Sequence, residues 1–294
     1  WALFGLWMMA YAIVYAPGFG WLSWLPDYAF VVLALPGIVL VVLPSSASAK
    51  GRKMRLGLVA VPLLWMLFSG ARYDYRPWSS REVSISANVL RVAFLNASHP
   101  TPEESSLAAK VLLAQDAEVV VVTDPGGLHG DLESLVEGSR VAGTFRVSVV
   151  TALPIAAFGM VYSSEWIHAV KVVVVLPNGS EFRILVVDLP SSGDRAVVVG
   201  SLAELLKGEQ AGGWDLVVGD FNMTSRHREF RRSMQPYENV FEEEGVGWGA
   251  TWPGRFPLLR IDHGFVSDPE SLRRAETFDA GVDHRGLLMT FEVE

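Results

Sequence analysis

Three apolar stretches without an internal charge occupy the first 70 residues and constrain most strongly what this chain can fold into. They run from Trp1 to about Ala16, from about Tyr28 to Leu43 and from about Leu56 to Gly70. Each has about 15–17 residues, the short end of what crosses a bilayer as a helix. Three buried helices of a soluble α domain are the alternative, but such helices need polar faces and these stretches have none. We predict an anchor of three transmembrane helices over residues 1–71.

The charges of the connecting loops predict how this anchor is oriented. The connection from Pro44 to Arg55 contains four basic residues and no acidic one, whereas that from Pro17 to Asp27 contains no Lys or Arg. Loops rich in Lys and Arg stay on the cytoplasmic side of a membrane. Three spans then place everything after about Ala71 outside the cytoplasm. We expect a multi-pass protein of the cell membrane, in contact with the lipid bilayer, whose main domain is extracytoplasmic.

The formal charge changes sign after the apolar third of the chain. Residues 1–80 contain six basic and two acidic side chains, while the remainder contains 18 basic and 30 acidic ones and so carries −12. A domain of that charge repels polyanions, which makes long nucleic acid a poor candidate for its partner. The absence of cysteine excludes disulfides, thiolate catalysis and cysteine-ligated metal sites.

Short β-branched runs, separated by helical and polar stretches, follow from about Val83. We predict a linker over residues 72–82 and one domain over residues 83–294. Thr101 with Glu104 three residues later is a capping-box signal and predicts a helix over Pro102–Gln115; a second helix is predicted over Arg195–Lys207. Many strands with few helices are typical of an α/β sandwich of two packed sheets. Strands are predicted at Val89–Leu95, Glu118–Thr123, Val147–Leu153, Ala169–Leu176, Arg183–Asp188, Leu216–Gly219, Arg260–Ser267 and Leu287–Glu292.

A pair of polar residues ends one of these predicted strands. Asp220 and Asn222 lie two residues apart, so an extended chain delivers both to one side while Phe221 faces the core. A carboxylate beside an amide can orient a water molecule and hold a phosphoryl oxygen or a metal-bound water. Taken alone, this segment is equally well interpreted as an Asx turn that closes a strand.

Two Asp-His pairs follow further along the chain, Asp262-His263 and Asp283-His284. A lone pair of this kind is more often a surface turn than a site. Two such pairs at strand ends, downstream of Asp220, favour a site. A buried Asp can fix the tautomer of a His from another strand, and that His then acts as a base or stabilises charge.

Three segments together, Gly219–Asn222, Arg260–Ser267 and Asp283–Arg285, resemble the endonuclease/exonuclease/phosphatase superfamily. These are the metal-dependent phosphoesterases that include deoxyribonuclease I-like enzymes. The resemblance covers roughly Val89 to the C-terminus, and Thr251–Pro253 is similar to small bacterial members with membrane-spanning N-termini. It implies a deoxyribonuclease I-like, two-sheet α/β sandwich, a phosphodiester or phosphomonoester substrate, and Mg²⁺ or Mn²⁺ as cofactor.

The resemblance also implies roles for single residues. Asp220 would activate or orient the attacking water, and Asn222 would hold that water and a phosphate oxygen. Asp262 would orient His284, which faces the phosphate as base or charge stabiliser. The further implied site residues are Asn96 near metal and phosphate, Asp283 near the metal, and Thr151 beside the substrate.

Two positions depart from the family pattern. Where the family has a Glu as first metal ligand, Val122-Thr123 leads into Asp124, which is one methylene shorter and could ligate after a small shift or through a water. Where the family has a phosphate-contacting His, this chain has Asp188. An ionised Asp repels phosphate and cannot donate to it. At this substrate-binding position, Asp188 either serves as an extra metal ligand or leaves activity reduced, redirected or lost.

These observations predict an exported, membrane-tethered, Mg-dependent phosphoesterase. Its tether and its negative charge favour lipid-linked phosphates or small phosphodiesters over long nucleic acid. Two other functions stay open. The chain could be a catalytically degenerate family member that serves as a surface binding module, for which Asp124 and Asp188 are the evidence. It could also be an extracytoplasmic nuclease.

Overall fold

The computed structural model describes residues 74–77, 88–136, 138–164, 167–208 and 213–293. The predicted anchor over residues 1–71, with its three apolar stretches, lies outside this described part. Among the described helices, none is long and apolar enough to cross a membrane.

The described residues form two mixed β-sheets with helices packed on their outer faces, so the predicted two-sheet α/β sandwich is confirmed. The helices are α1 Pro102–Leu113, α2 Leu128–Leu135, α3 Arg195–Gly208, α4 Arg228–Ser233 and α5 Val240–Glu244. The strands are β1 Tyr75–Arg76, β2 Asn88–Asn96, β3 Val119–Thr123, β4 Arg140–Gly143, β5 Val147–Thr151, β6 Ile155–Ser163, β7 His168–Val175, β8 Glu181–Asp188, β9 Leu216–Asp220, β10 Glu238–Asn239, β11 Gly245–Trp248, β12 Asp262–Val266, β13 Leu272–Asp279 and β14 Arg285–Val293.

One sheet has eight strands in the order β1-β11-β13-β14-β2-β3-β5-β4, and the other has six in the order β10-β12-β9-β8-β7-β6. Side chains alternate between two buried faces along the central strands. In β2, Val92 and Phe94 face the core between the sheets, while Ala93 and Leu95 pack with helices α1 and α2. Burial on both faces explains why these strands are continuous apolar runs rather than alternating ones.

The predicted capping box is formed, and a glycine occupies the turn of one hairpin. Helix α1 begins with the capping box: the Thr101 hydroxyl accepts from the Glu104 amide at 3.4 Å, and the Glu104 carboxylate accepts from the Thr101 amide at 2.9 Å. The turn between β7 and β8 contains Gly179, whose φ of 87° is a conformation that glycine adopts without strain.

Strand β1 lies inside the segment 72–82 that the sequence assigns to a linker. It pairs with β11 at the edge of the eight-stranded sheet, with Tyr75 opposite Trp248. The Asp74 carboxylate accepts from Arg226 at 2.8 Å and from Arg260 at 3.3 Å, and it is almost completely buried. Residues 74–77 are therefore packed against the domain rather than free of it.

The topology brings many strand ends to one edge of the sandwich. Strands β2 and β3 run parallel, as do β8 and β9, so all four end at this edge. Strands β5, β12 and β14 run antiparallel to these neighbours and therefore begin there. Polar side chains at strand ends and in the connecting loops can converge at this edge without disrupting the core.

Candidate active site

A cleft of about 470 Å³ opens at this edge of the sandwich. Its walls combine carboxylates, amides, one arginine and two histidines, so it is polar despite the apolar strands that lead to it. The lining residues are Asn96, Ser98, Asp124, Arg146, His168, Asp188, Leu189, Pro190, Ser191, Ser192, Asp220, Asn222, Trp252, Ile261, Asp283 and His284.

Asp220 ends β9 at the floor of the cleft and is held by amide donors. Its Oδ2 accepts from the side-chain amides of Asn96 at 2.8 Å and of Asn222 at 3.0 Å, and its Oδ1 accepts from the Asn222 backbone N–H at 2.8 Å. Burial and repulsion from Asp262 raise the pKa of Asp220 well above its usual value, against attraction from His284. The result is a fixed, unusually basic carboxylate.

The backbone around Asp220 explains the local sequence. A Cβ on Gly219 would lie 1.8 Å from the carbonyl oxygen of Val187, so only glycine allows β8 and β9 to approach this closely. Asn222 has a φ of 49°, a left-handed conformation that Asn tolerates better than most residues. The Asx turn and the site are thus the same structure, and the two interpretations of this segment do not exclude each other.

His284 and Asp262 form a buried pair. The Asp262 carboxylate accepts from the His284 Nδ1–H at 2.8 Å, which leaves Nε2 for the cleft. Burial lowers the pKa of His284, but attraction to Asp262 and the hydrogen bond outweigh it and raise the pKa to about 9. The second oxygen of Asp262, Oδ1, is buried without a hydrogen-bond partner among the described residues.

The neighbouring His263 faces the opposite side of β12. Its Nε2–H donates to the Met223 carbonyl at 2.9 Å, and its Nδ1 accepts from the Asn239 side-chain amide at 3.1 Å. Burial and the nearby Arg260 lower its pKa to about 3, so it stays neutral. Of the two adjacent residues Asp262 and His263, only Asp262 belongs to the cleft group, as strand alternation requires.

The two positions that depart from the family pattern share one partner, Arg146. Its Nη1 donates to Asp124 Oδ1 at 2.9 Å and lies 3.5 Å from Asp188 Oδ2. Burial and the adjacent Asp124 raise the pKa of Asp188 to about 7, and Arg146 opposes this rise. Asp124 has a φ of 43° directly after β3, so its carboxylate turns toward the cleft instead of continuing along the strand.

Asp283 also lines the cleft, next to His284 in the sequence. Its Oδ2 accepts from the Trp252 indole N–H at 3.1 Å, and its side chain is exposed to the cleft. The structure therefore brings together eight of the nine predicted site residues, which are Asn96, Asp124, Asp188, Asp220, Asn222, Asp262, Asp283 and His284.

Thr151 is the predicted residue that lies elsewhere. Because β5 runs antiparallel to β3, Thr151 pairs with Val119 at the far end of that strand. Its hydroxyl donates to the Glu118 carbonyl at 2.6 Å and accepts from the Leu153 amide at 3.0 Å, and it is buried. The prediction that Thr151 contacts substrate is corrected to a structural role.

The same antiparallel pairing shows which residue the sequence reasoning missed. The start of β5, not its end, lies at the cleft, since Val147 pairs with Thr123. Arg146 directly precedes that start, and its carbonyl accepts from the Asp124 backbone N–H at 2.9 Å. A basic residue before a strand carries no distinctive signal, so only the strand direction could have pointed to it.

The donor set of the cleft fits a hard divalent cation. Carboxylate and amide oxygens are the ligands that Mg²⁺ and Mn²⁺ prefer. The cleft offers such oxygens from Asn96, Asp124, Asp220 and Asp283. Ligand atoms of Asp220, Asp262 and His284 lie within 4.8 Å of one another, although the His284 Nδ1 is already engaged by Asp262. The buried Asp262 Oδ1 without a partner is a further acceptor that a cation or its water shell could satisfy.

Comparison with known proteins agrees with this geometry. Residues 71–285 match the Endonuclease/Exonuclease/phosphatase family, and since this is well over half of the sequence, the chain belongs to that family. Members of the family are generally phosphoester hydrolases and typically depend on divalent metals. No match is found among curated proteins.

Solved structures share the fold at low sequence identity. TDP2 from D. rerio, complexed with a single-strand DNA product, is 14% identical with a TM-score of 0.57, covering 70% of this chain and 100% of that one. A family protein from Leptotrichia buccalis is 13% identical with a TM-score of 0.53, covering 69% and 100%. A functionally unknown conserved protein from Enterococcus faecalis is also 13% identical, with a TM-score of 0.54 and coverages of 69% and 100%. At such identities the likeness shows the fold alone.

Proposed function

We propose that this chain is a metal-dependent phosphoesterase that hydrolyses a small or lipid-linked phosphate ester outside the cytoplasm, held at the membrane by its N-terminal third. The observation that carries the proposal is the convergence of a buried, amide-held Asp220 and a buried Asp262–His284 pair on one cleft. A fixed base and a fixed cationic acid close together in one cavity suit attack of water on phosphorus.

In this proposal Asp220 takes the proton of the attacking water. Its raised pKa makes it a better proton acceptor than an ordinary carboxylate, and the amides of Asn96 and Asn222 keep it from rotating. The Asn222 side chain also donates to the Leu189 carbonyl at 2.8 Å, which fixes the amide beside the cleft. Water would therefore be aligned before the substrate reacts, and little reorganisation would be needed.

His284 stabilises charge on the phosphoryl oxygens. Its pKa of about 9 keeps it protonated at neutral pH, and the hydrogen bond to Asp262 leaves the Nε2–H as the donor toward the cleft. Asn96, Asp124 and Asp283 would hold the divalent cation. When bound, such an ion polarises the phosphoryl group and offsets its negative charge.

Membrane tethering and export rest on the sequence. Three apolar stretches, the last of which ends at Gly70, support the membrane anchor. Four basic residues in the loop from Pro44 to Arg55 support the orientation that exports the domain. The net charge of −12 after residue 80 favours small or lipid-linked esters over long nucleic acid. A surface binding module is the second candidate, because Arg146 already engages the Asp124 carboxylate that a metal would need.

A substrate panel tests the proposal. The full-length chain in detergent is incubated with a phosphomonoester, a small phosphodiester, a lipid phosphate in mixed micelles or single-stranded DNA, each with Mg²⁺, Mn²⁺ or a chelator. We expect metal-dependent hydrolysis of an ester other than DNA. Asp220→Asn should lower turnover by about 10²- to 10⁴-fold, whereas Glu133→Gln, an exposed carboxylate that does not line the cleft, should not change it.

Three results would count against the proposal. Absence of turnover on every substrate with either metal favours the binding module. Hydrolysis of DNA alone favours a nuclease. Equal activity of wild type and Asp220→Asn places the chemistry outside this cleft.

A further inference from the structure

The charge balance of the cleft is unusual for a phosphate site. Four carboxylates line it, those of Asp124, Asp188, Asp220 and Asp283, while Arg146 is the only arginine or lysine among its described lining residues. Those carboxylates that are ionised repel a phosphate ester that enters this cleft. Among the described lining residues, Arg146 alone offers a permanently charged hydrogen-bond donor.

The guanidinium of Arg146 is placed at the position that needs such a donor. It lies 3.5 Å from the carboxylate of Asp188, the residue that stands where the resemblance implies a phosphate-contacting His. The Arg146 side chain is 29% exposed, so it is packed yet open to the cleft. Its guanidinium carbon also lies 5.3 Å from the centre of the Phe145 ring, within the range of a cation–π contact.

Arg146 has more donors than its protein partners use. Only Nη1 contacts Asp124 and Asp188, and Nη2 makes no hydrogen bond with a described residue. Nε is buried and likewise has no partner among the described residues. A guanidinium presents five N–H groups in a planar fork that matches phosphate oxygens, so donors are left for a ligand after the two carboxylates are satisfied.

We propose that Arg146 is a substrate-binding residue that holds a phosphoryl oxygen, with Asp124 and Asp188 fixing its guanidinium at the cleft. It supplies the donor that an ionised aspartate at position 188 cannot supply. This inference rests on the proposed function, since it names the group that binds the phosphate of the same substrate.

Inorganic phosphate is the probe. Its dissociation constant for the full-length chain in detergent is measured by titration calorimetry, with and without Mn²⁺. Arg146→Gln should weaken phosphate binding about 10- to 100-fold, the usual effect of losing a charge-assisted hydrogen bond. The phosphate affinity of Arg146→Lys should lie between those of wild type and Arg146→Gln, because lysine keeps the positive charge and lacks the planar guanidinium. Arg140→Gln, an exposed arginine at the other end of the same hairpin, should bind as wild type does.

A double variant separates phosphate binding from simple charge neutralisation. If Arg146 only neutralises Asp188, then Arg146→Gln with Asp188→Asn should recover wild-type phosphate affinity, because no unpaired carboxylate is left at position 188. If Arg146 holds the phosphate, the double variant should stay weak. Recovery in the double variant, unchanged affinity in Arg146→Gln, or no phosphate binding by wild type would each overturn the inference.

Turnover distinguishes this inference from the function on which it rests. Arg146-dependent phosphate binding without hydrolysis of any ester supports the binding role and refutes the phosphoesterase. Hydrolysis with the same KM in wild type and Arg146→Gln supports the phosphoesterase and refutes the role of Arg146.

Discussion

Replacing Asp262 by Asn should lower the pKa of the His284 ring. The substitution keeps the size of the side chain and removes its charge. In the wild type, burial alone lowers the pKa of His284, and Asp262 reverses this by its charge and by the 2.8 Å hydrogen bond to Nδ1. Without that charge, burial should lower the pKa of His284 clearly below its wild-type value, against the remaining attraction of Asp220 and Asp283.

The size of the effect follows from the pKa itself. A rise from 6.5 to about 9 corresponds to roughly 3 kcal/mol of preference for the protonated ring in the folded state. Because the folded pKa lies above the unfolded one, this stabilisation is fully present below pH 6.5 and is lost as the pH rises through 9. Asp262→Asn should lose most of it at pH 6 and show a flatter dependence of stability on pH.

The assay is a ring-proton NMR titration of the metal-free chain, kept in chelator so that no bound cation shifts the equilibrium. The chain has six histidines, and His284→Gln assigns the signal. His284 should titrate near pH 9 in wild type and at a clearly lower pH in Asp262→Asn. Titration near 6.5 in wild type, or a value that Asp262→Asn leaves unchanged, would refute the reasoning.

Three further predictions concern packing, charge and topology. Gly219→Ala should abolish folding or lower the unfolding temperature steeply in a thermal melt, because its Cβ would lie 1.8 Å from the Val187 carbonyl oxygen. The control is Gly200→Ala on α3, whose Cβ would meet open space and should leave the melt unchanged. Equal melts for the two variants would contradict the close approach of β8 and β9. Asp188→Asn should raise the unfolding temperature of the metal-free chain at pH 8. The folded-state pKa of Asp188 is about 7, so the stability of the wild type falls as this carboxylate ionises. A lower unfolding temperature in Asp188→Asn would contradict this reasoning. A reporter that works only after export should be active when fused after Glu294, and activity of a cytoplasm-specific reporter there would contradict the predicted orientation.

The predicted chemistry of the cleft depended on patterns that a sequence displays directly. Asp220 and Asn222 follow an apolar run with the spacing of two that places side chains together, and the Asp262–His284 pair combines residues from two such strand ends. The structure places Asp220 and Asn222 together, as the spacing predicts, and pairs Asp262 with His284, as the family resemblance implies. Their roles in catalysis stay predictions.

The errors share a different cause, the direction of strands. The family resemblance implies a place beside the substrate for Thr151, as the small hydroxyl residue that ends a strand, but β5 is antiparallel to β3 and brings Arg146 to the cleft instead. The periodicity of a strand's sequence predicts the face of the sheet on which each side chain lies. It does not predict whether the strand runs parallel or antiparallel to its neighbour. That information comes from long-range pairing.

Some strands carried too weak a pattern to be predicted. Strand β6 includes Gly159 and is mostly half-exposed, and β13 contains several charged residues along its length. Each is stabilised by pairing with a neighbouring strand, β7 for β6 and β14 for β13. Tertiary context rather than local propensity determines such segments.

Oxygen-18 transfer from solvent water tests the central claim most directly. The full-length chain hydrolyses a phosphate ester with Mg²⁺ or Mn²⁺ in labelled water, and the products are examined by mass spectrometry over many turnovers. If water aligned by Asp220 attacks phosphorus, one solvent oxygen should enter each product phosphate, and Asp220→Asn should lower the rate of labelling as much as it lowers turnover. Label in the released alcohol, or labelling at an equal rate in Asp220→Asn, would contradict the account.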